Sequence, residues 1–197
     1  MVDQDTARAS TEDRQKAIAD AARVLIAERG FEGLRTRDIA DRVGINIATL
    51  HYHVPTKQAL IRLVAQSLRE DFQAQHARRP RQGLDARSRL ELEFADFREL
   101  FETDRQLLVV MAELGARARR DAEVAAEIVP LHATWNGQIA ALLAEGRDDG
   151  SFHADIDPAA LATIVIGAMT ACLRHPVRAP DHLDAVFAQL RRAIIRT

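Results

Sequence analysis

The side chains able to act on an outside partner cluster between residues 46 and 57. Thr49, His51 and Tyr52 bring a hydroxyl, an imidazole and a phenol into one short stretch, beside Asn46, Ile47, Ala48 and Lys57. If this stretch is a helix with Leu50 turned inward, Ala48 and Tyr52 lie nearly opposite it at ~100° per residue, with Thr49 and His51 on the flanks. The resulting surface forms hydrogen bonds and carries no acidic residue to repel phosphate. An amphipathic surface helix more often shows Glu and Lys there. Such groups suit phosphate oxygens and base edges in a DNA groove.

Two short helical patterns position these residues, and they meet at Gly44-Ile45-Asn46. The first runs from Thr36 to Val43, with Ile39, Ala40 and Val43 at i, i+3, i+4 spacing. Thr36 is read as its N-cap, because a threonine hydroxyl accepts from an orphan N–H of the first turn. Asp38 follows where the helix dipole favours negative charge. Gly44 can take the left-handed backbone that ends a helix. Asn46 can cap the next, which runs through Leu50 to about His53. Helix, tight turn and second helix make a helix-turn-helix unit, whose second helix enters the major groove. Spacing alone fits an ordinary helical hairpin equally well. The outward side chains favour the DNA-binding reading.

The rest of the chain reads as helices. At 197 residues it can bury a real core in one or two domains. Composition is 47% hydrophobic but only 5% aromatic, with 9 Gly and 6 Pro, which suits an all-α protein. β-Branched alternation is nearly absent, so no strand is expected. Residues 1–10 are polar and expected to be disordered. Ser10-Thr-Glu-Asp13 matches a capping box, and Ile18, Ala21, Ala22, Leu25 and Ile26 form one stripe up to Arg29. Arg14 and Lys16 near its start are candidates for phosphate contact or plain surface charge. Pro55 stops the recognition helix, and Thr56 caps a long linking helix to about Arg79. Lys57 stands in its first turn, where the dipole disfavours a cation and a bound phosphate would remove the conflict.

Arg78-Arg-Pro-Arg-Gln-Gly83 reads as a linker. This gives a tail and helix-turn-helix domain over 1–57, a linking helix and linker over 58–82, and a helical part over 83–197, which the family resemblance given below implies is a ligand-binding and dimerisation domain. Helices are expected over about 85–103, 105–119 and 122–145, the last kinked or split by Pro130. Asp157 and Pro158 start a helix to Leu173 that is apolar nearly all round, so it must be buried on more than one side. Pro176 and Pro180 bracket a loop before the final helix, about 181–195. Two closing helices this apolar suggest a subunit interface.

Net charge is −2, divided as 14 basic and 11 acidic residues over 1–82 against 13 and 18 over 83–197. A basic front and an acidic body have the right sign for DNA binding. The single cysteine, Cys172, rules out an intrachain disulfide and fits a cytoplasmic protein. The first residues lack the basic and apolar regions of a signal peptide, and no apolar stretch reaches a membrane span. No cofactor or metal site is expected. His51 and His53 point ~200° apart on a helix, and His132, His153, His175 and His182 show no ligand spacing. No phosphate loop or nucleophile motif appears, so an enzyme is disfavoured.

Residues 14–63 resemble the tetracycline-repressor (TetR) family of bacterial transcriptional regulators. The likeness rests on Ala-Ala-x-x-Leu-Ile-Ala-Glu-Arg-Gly-Phe-Glu-Gly (21–33), Thr-x-x-Asp-Ile-Ala-x-x-Val-Gly-Ile (36–45) and Thr-Leu-His-Tyr-His-Val-Pro-Thr-Lys-x-Ala-Leu (49–60). It implies a homodimer on a palindromic operator, usually a repressor, released by a small molecule. A constitutive DNA-binding protein without an effector is the alternative. By motif position Thr36, Asn46, Ile47, Ala48, Thr49, His51, Tyr52 and Lys57 match the family's DNA-contacting sites. Ala48 replaces a frequent Gly, His51 a frequent Tyr and Val54 a frequent Phe. Ile47 can meet a thymine methyl or pack within its own domain. Candidate ligand-lining residues are Phe94, Phe97, Phe101, Met111, Leu114, Trp135, Gln138 and Met169, although each also sits at core spacing.

Overall fold

A computed structural model describes residues 2–174 and 180–196, with side chains from Thr11 onward. His175 and Pro176 lie outside the described residues. Among those described, the helices are α1 (Val2–Arg29), α2 (Thr36–Val43), α3 (Ile47–His53), α4 (Lys57–Arg78), α5 (Ala86–Thr103), α6 (Arg105–Ala118), α7 (Ala122–Asp148), α8 (Pro158–Cys172) and α9 (Pro180–Ile194). A 3-10 turn, Phe31–Gly33, joins α1 to α2. The one extended pairing among the described residues is an isolated antiparallel bridge between Phe152 and Ile195. The all-α reading is correct.

Contacts divide the chain into two units that do not follow chain order. One comprises Met1–Gln73 with Val109–Val129, the other Ala74–Leu108 with Pro130–Thr197. In the first, Ile18, Ala22, Leu25 and Ile26 of α1 are buried, as are Ile39, Leu50, Leu60, Ile61 and Val64 from α2 to α4. In α1 this is the stripe that helical periodicity marked. In the second unit α5 packs on α9. The Phe94 and Phe187 rings stack at 4.6 Å between centroids, and Phe97 meets Phe187 edge-on.

Three local expectations need correction. The first ten residues are not an unstructured tail, since α1 starts at Val2. Ala7, Arg8 and Ala9 are residue types of high helix propensity, so the Ser10 capping signal is overrun. Thr36 is the first helical residue rather than the N-cap. Arg35 takes that position in extended conformation, and no side chain caps the helix. Pro130 does not split α7, which is continuous through it. Proline removes one N–H and frees one carbonyl. The freed carbonyl is that of Ala126, which like Pro130 is exposed, so water can satisfy it.

The segment read as a linker is tied down. Arg79 pairs with Asp96 and Glu99, and Arg81 with Asp96 and Glu93. Buried Gln75 donates to the Asp96 carbonyl at 2.8 Å. Burial pushes the Glu93 carboxyl above its usual range, and the Arg81 charge opposes that rise. The paired arginines let these acids of α5 face the segment after α4 without an unmatched charge.

Asp157 caps α8, its Oδ1 accepting from the N–H groups of Ala159 and Ala160 at 3.0 Å. Ahead of it the chain folds back so that Phe152 is fully buried against Gly146. A Cβ at Gly146 would stand 2.2 Å from the Phe152 ring. Gly146→Ala is therefore expected to destabilise the protein by about 1–3 kcal/mol through overpacking. A lowered urea midpoint with unchanged m-value checks it.

Candidate nucleic-acid interface

Helices α1 to α3 are locked together by a few local devices. Gly44 is left-handed at φ 72°, ψ 36°, and its N–H reaches the carbonyls of Ala40 and Asp41. The Ile45 N–H also donates to the Ala40 carbonyl, at 3.0 Å, which closes the end of α2. Two residues later the Asn46 side chain accepts from the Thr49 N–H at 2.7 Å and caps α3. Leu50 is buried against α1 and α2. On the surface, Arg29 pairs with Asp38 and Arg42 with Glu28, tying α2 to α1.

With Leu50 inward, the opposite face of α3 is open. Tyr52 is 81% exposed and Ile47 39%. Asn46, Ala48, His51 and Thr36 are also exposed, and Thr49 is half-buried. Ile47 thus presents apolar surface to solvent. Val54 is buried, which fits a packing role. Beside this face is a cleft of about 510 Å³, whose lining includes Phe31, Arg35, Thr36, Arg37, His51, Thr56, Lys57 and Arg117. Arg35 and Arg37 are exposed, and neither has an ion-pair partner among the described residues. Both were missed in the sequence. Their position either side of Thr36, at the start of α2, was the available signal.

Lys57 has a partner that the sequence did not suggest. Thr56 does cap α4, its hydroxyl accepting from the Ala59 N–H at 3.0 Å. The Lys57 ammonium donates to Asp121 Oδ2 at 2.8 Å and stands 5.2 Å from the centre of the Phe31 ring. Asp121 precedes α7, and its side chain is 9% exposed. Its Oδ2 also accepts from Arg117 at 3.1 and 3.2 Å, while Oδ1 accepts from the Glu123 and Val124 N–H groups. Arg117 lies over the other side of the same cluster, 5.5 Å from the Phe31 ring, and pairs with Glu32. The Lys57 hydrogen bond, helped by Arg117 and the Val124 N–H, holds the Asp121 carboxyl at about 2. The unfavourable lysine at the start of α4 is thus offset from within the chain.

The residues singled out for ligand binding are scattered by comparison. Phe94, Phe97, Phe101 and Met169 are buried in the second unit. Phe94 and Phe97 meet at Phe187, and the Arg105 guanidinium lies over Phe101 at 4.6 Å. Trp135 is half-buried near Glu93, while Gln138 is exposed. Met111 and Leu114 are buried in the first unit.

An anchored, capped second helix with an open polar face defines a helix-turn-helix transcriptional regulator. Residues 18–64 match the family model for bacterial regulatory proteins of the tetR family, and residues 86–194 match the C-terminal model of BetI-type transcriptional repressors. The chain belongs to the TetR family. It is 29% identical over 150 residues to the transcriptional repressor KstR2 of Rhodococcus jostii, covering 73% of this chain and 70% of that protein. It is 26% identical over 179 residues to the regulator UidR of Escherichia coli, covering 90% and 89%. A solved structure of a transcriptional regulator from Saccharomonospora viridis in complex with choline superposes with a TM-score of 0.82. It is 22% identical and is covered over its full length by 94% of this chain. Ketosteroid regulator KstR2 of Mycobacterium tuberculosis superposes with a TM-score of 0.74 at 19% identity, covering 93% of this chain and 96% of that one.

The depressed acidity of Asp121 gives a pH-dependent contribution to stability. Its ionised form is favoured in the fold, so the contribution is complete above the unfolded value of about 3.9 and is lost as pH falls through about 2. Wild type is expected to lose its stability advantage over Asp121→Asn between those limits. Urea midpoints of the two proteins at pH 5, 4, 3 and 2 check this, and a constant gap would contradict it.

Proposed function

We propose that this regulator is a homodimeric repressor that reads a two-fold symmetric operator through α3 and is released by a small molecule. The observation that carries the DNA-binding half is the exposed, acid-free face of α3, held by Leu50 and Asn46. Thr36, Thr49, Tyr52 and Lys57 contact phosphate and set orientation, while Ile47, Ala48 and His51 meet base edges. Asn46 supports them by capping α3.

Dimerisation is supported by what one chain leaves uncovered. Helix α8 buries Ala162, Val165, Met169 and Cys172 on one side. On the other, Ala160, Thr163, Ile164, Gly167 and Ala171 are exposed, with Ile164 at 58%. Thr163, Gly167 and Ala171 follow at i, i+4 spacing, and nothing lies within 4 Å of a Cβ built on Gly167. A nearly uncharged helix face of small and branched residues suits close packing against a second copy. Two recognition helices then read two half-sites.

The effector is assigned to the second unit, where Phe101, Trp135 and Met169 supply apolar surface and Glu93 a polar group. The relative solved with choline supports a small-molecule ligand as a class. Release of DNA requires that the ligand prefer the state with lower operator affinity. The protein acts in the cytoplasm, in keeping with one buried free cysteine and no described helix long and apolar enough to cross a membrane.

Selection from a random-sequence duplex pool at low salt tests the reading, and recovery of no duplex would refute it. Lys57→Gln is expected to weaken binding to all sequences alike and flatten the salt dependence, whereas His51→Ala changes which operator is preferred. Equal losses on every sequence would refute this division of roles. Ile164→Glu is expected to yield monomers in sedimentation and to cut operator affinity at least roughly tenfold, since linkage of two half-site contacts is lost.

A further inference from the structure

Lys57 cannot satisfy a DNA phosphate and Asp121 Oδ2 at full strength together. Its ammonium is committed to a carboxylate 64 positions away in the chain, at 2.8 Å. That carboxylate is well fixed. Its other oxygen caps α7, and Arg117 reinforces it through two further hydrogen bonds to the same Oδ2. Phe31 forms a floor under both cations. The lysine side chain itself is 52% exposed and lines the cleft that also holds Arg35, Thr36 and Arg37. Asp121 therefore offers Lys57 the same kind of charged oxygen that an incoming phosphate would.

We infer that Asp121 is an internal competitor for the operator phosphate, holding Lys57 at the first turn of α4 until DNA displaces it. The inference rests on the DNA-binding reading above. The carboxylate mimics the ligand in charge and in hydrogen-bonding geometry, so binding becomes an exchange of partners rather than a free gain. Exchange lowers affinity, and it lowers it for all sequences equally, because phosphate contacts carry no sequence information. It leaves discrimination to the side chains of α3. It also reduces the net release of counterions, since the freed carboxylate takes up a cation as the phosphate loses one. Asp121 is a positioning residue in this scheme and touches no DNA.

Asp121→Asn tests it, because asparagine keeps an oxygen to cap α7 and loses the charge. The variant is expected to bind both operator and unrelated duplex roughly fivefold more tightly, the scale of one exposed ion pair. The slope of log affinity against log salt should steepen by up to about one. In a Lys57→Gln background the same substitution should change neither quantity. Asp121→Ser, another capping residue, serves as a second variant, and circular dichroism confirms that each protein is folded. Weaker or unchanged binding by both variants would overturn the inference, as would a gain that persists without Lys57. If wild type and variants alike bind no duplex, the DNA-binding reading falls and takes this inference with it.

Discussion

Burial of Leu50 is the contact on which the rest depends. Helix α3 has seven residues, too few to be stable alone in water, because the cost of nucleating a turn is spread over too few hydrogen bonds. It exists because Leu50 packs into the surface of α1 and α2, and because Asn46 and Gly44 settle its orphan backbone groups. The same anchoring decides its function. Once Leu50 is inward, Ala48 and Tyr52 must face out, and their direction is set to within a fraction of a helical turn. A recognition surface built this way needs no large core of its own and tolerates change on its outer face.

Electrostatics in the first unit follow a second constraint. Several cations of this unit are held by acids of the same unit. Arg29 and Arg42 are held by acids on the facing helix of the α1–α2 pair, and Lys57 is held by Asp121. Arg35 and Arg37 have no such partner among the described residues. The basic surface beside α3 is thus a mixture of engaged and unengaged cations, which net charge alone would not reveal. A formal charge of −2 for the chain conceals it completely.

Arginine and carboxylate pairs serve a different purpose in the second unit. Arg79 and Arg81 fold the segment after α4 onto α5 through Asp96, Glu93 and Glu99. Proline, glycine and charge in the sequence mark a break in helical periodicity, and the break is real. Whether such a break is loose or fastened depends on partners that lie 12 or more residues further on, and composition carries no information about them.

What the sequence by itself determined was most of the local features. Helical periodicity, the Gly44 turn, the Asn46 and Asp157 caps and the inward Leu50 each depend on neighbours within a turn or two, where spacing is geometry. These were enough to read the all-α fold and the outward face of α3. Local signals failed where a competing local choice was nearly as good, as with the start of α1 and the cap of α2. Only the tertiary structure decided which groups meet across long separations: Lys57 with Asp121, Arg117 with Glu32, Phe94 with Phe187. It also decided which side of the apolar helix α8 remained uncovered. Contacts of that kind are set by how helices pack, and helix packing admits several angles and registers for the same pattern of apolar residues.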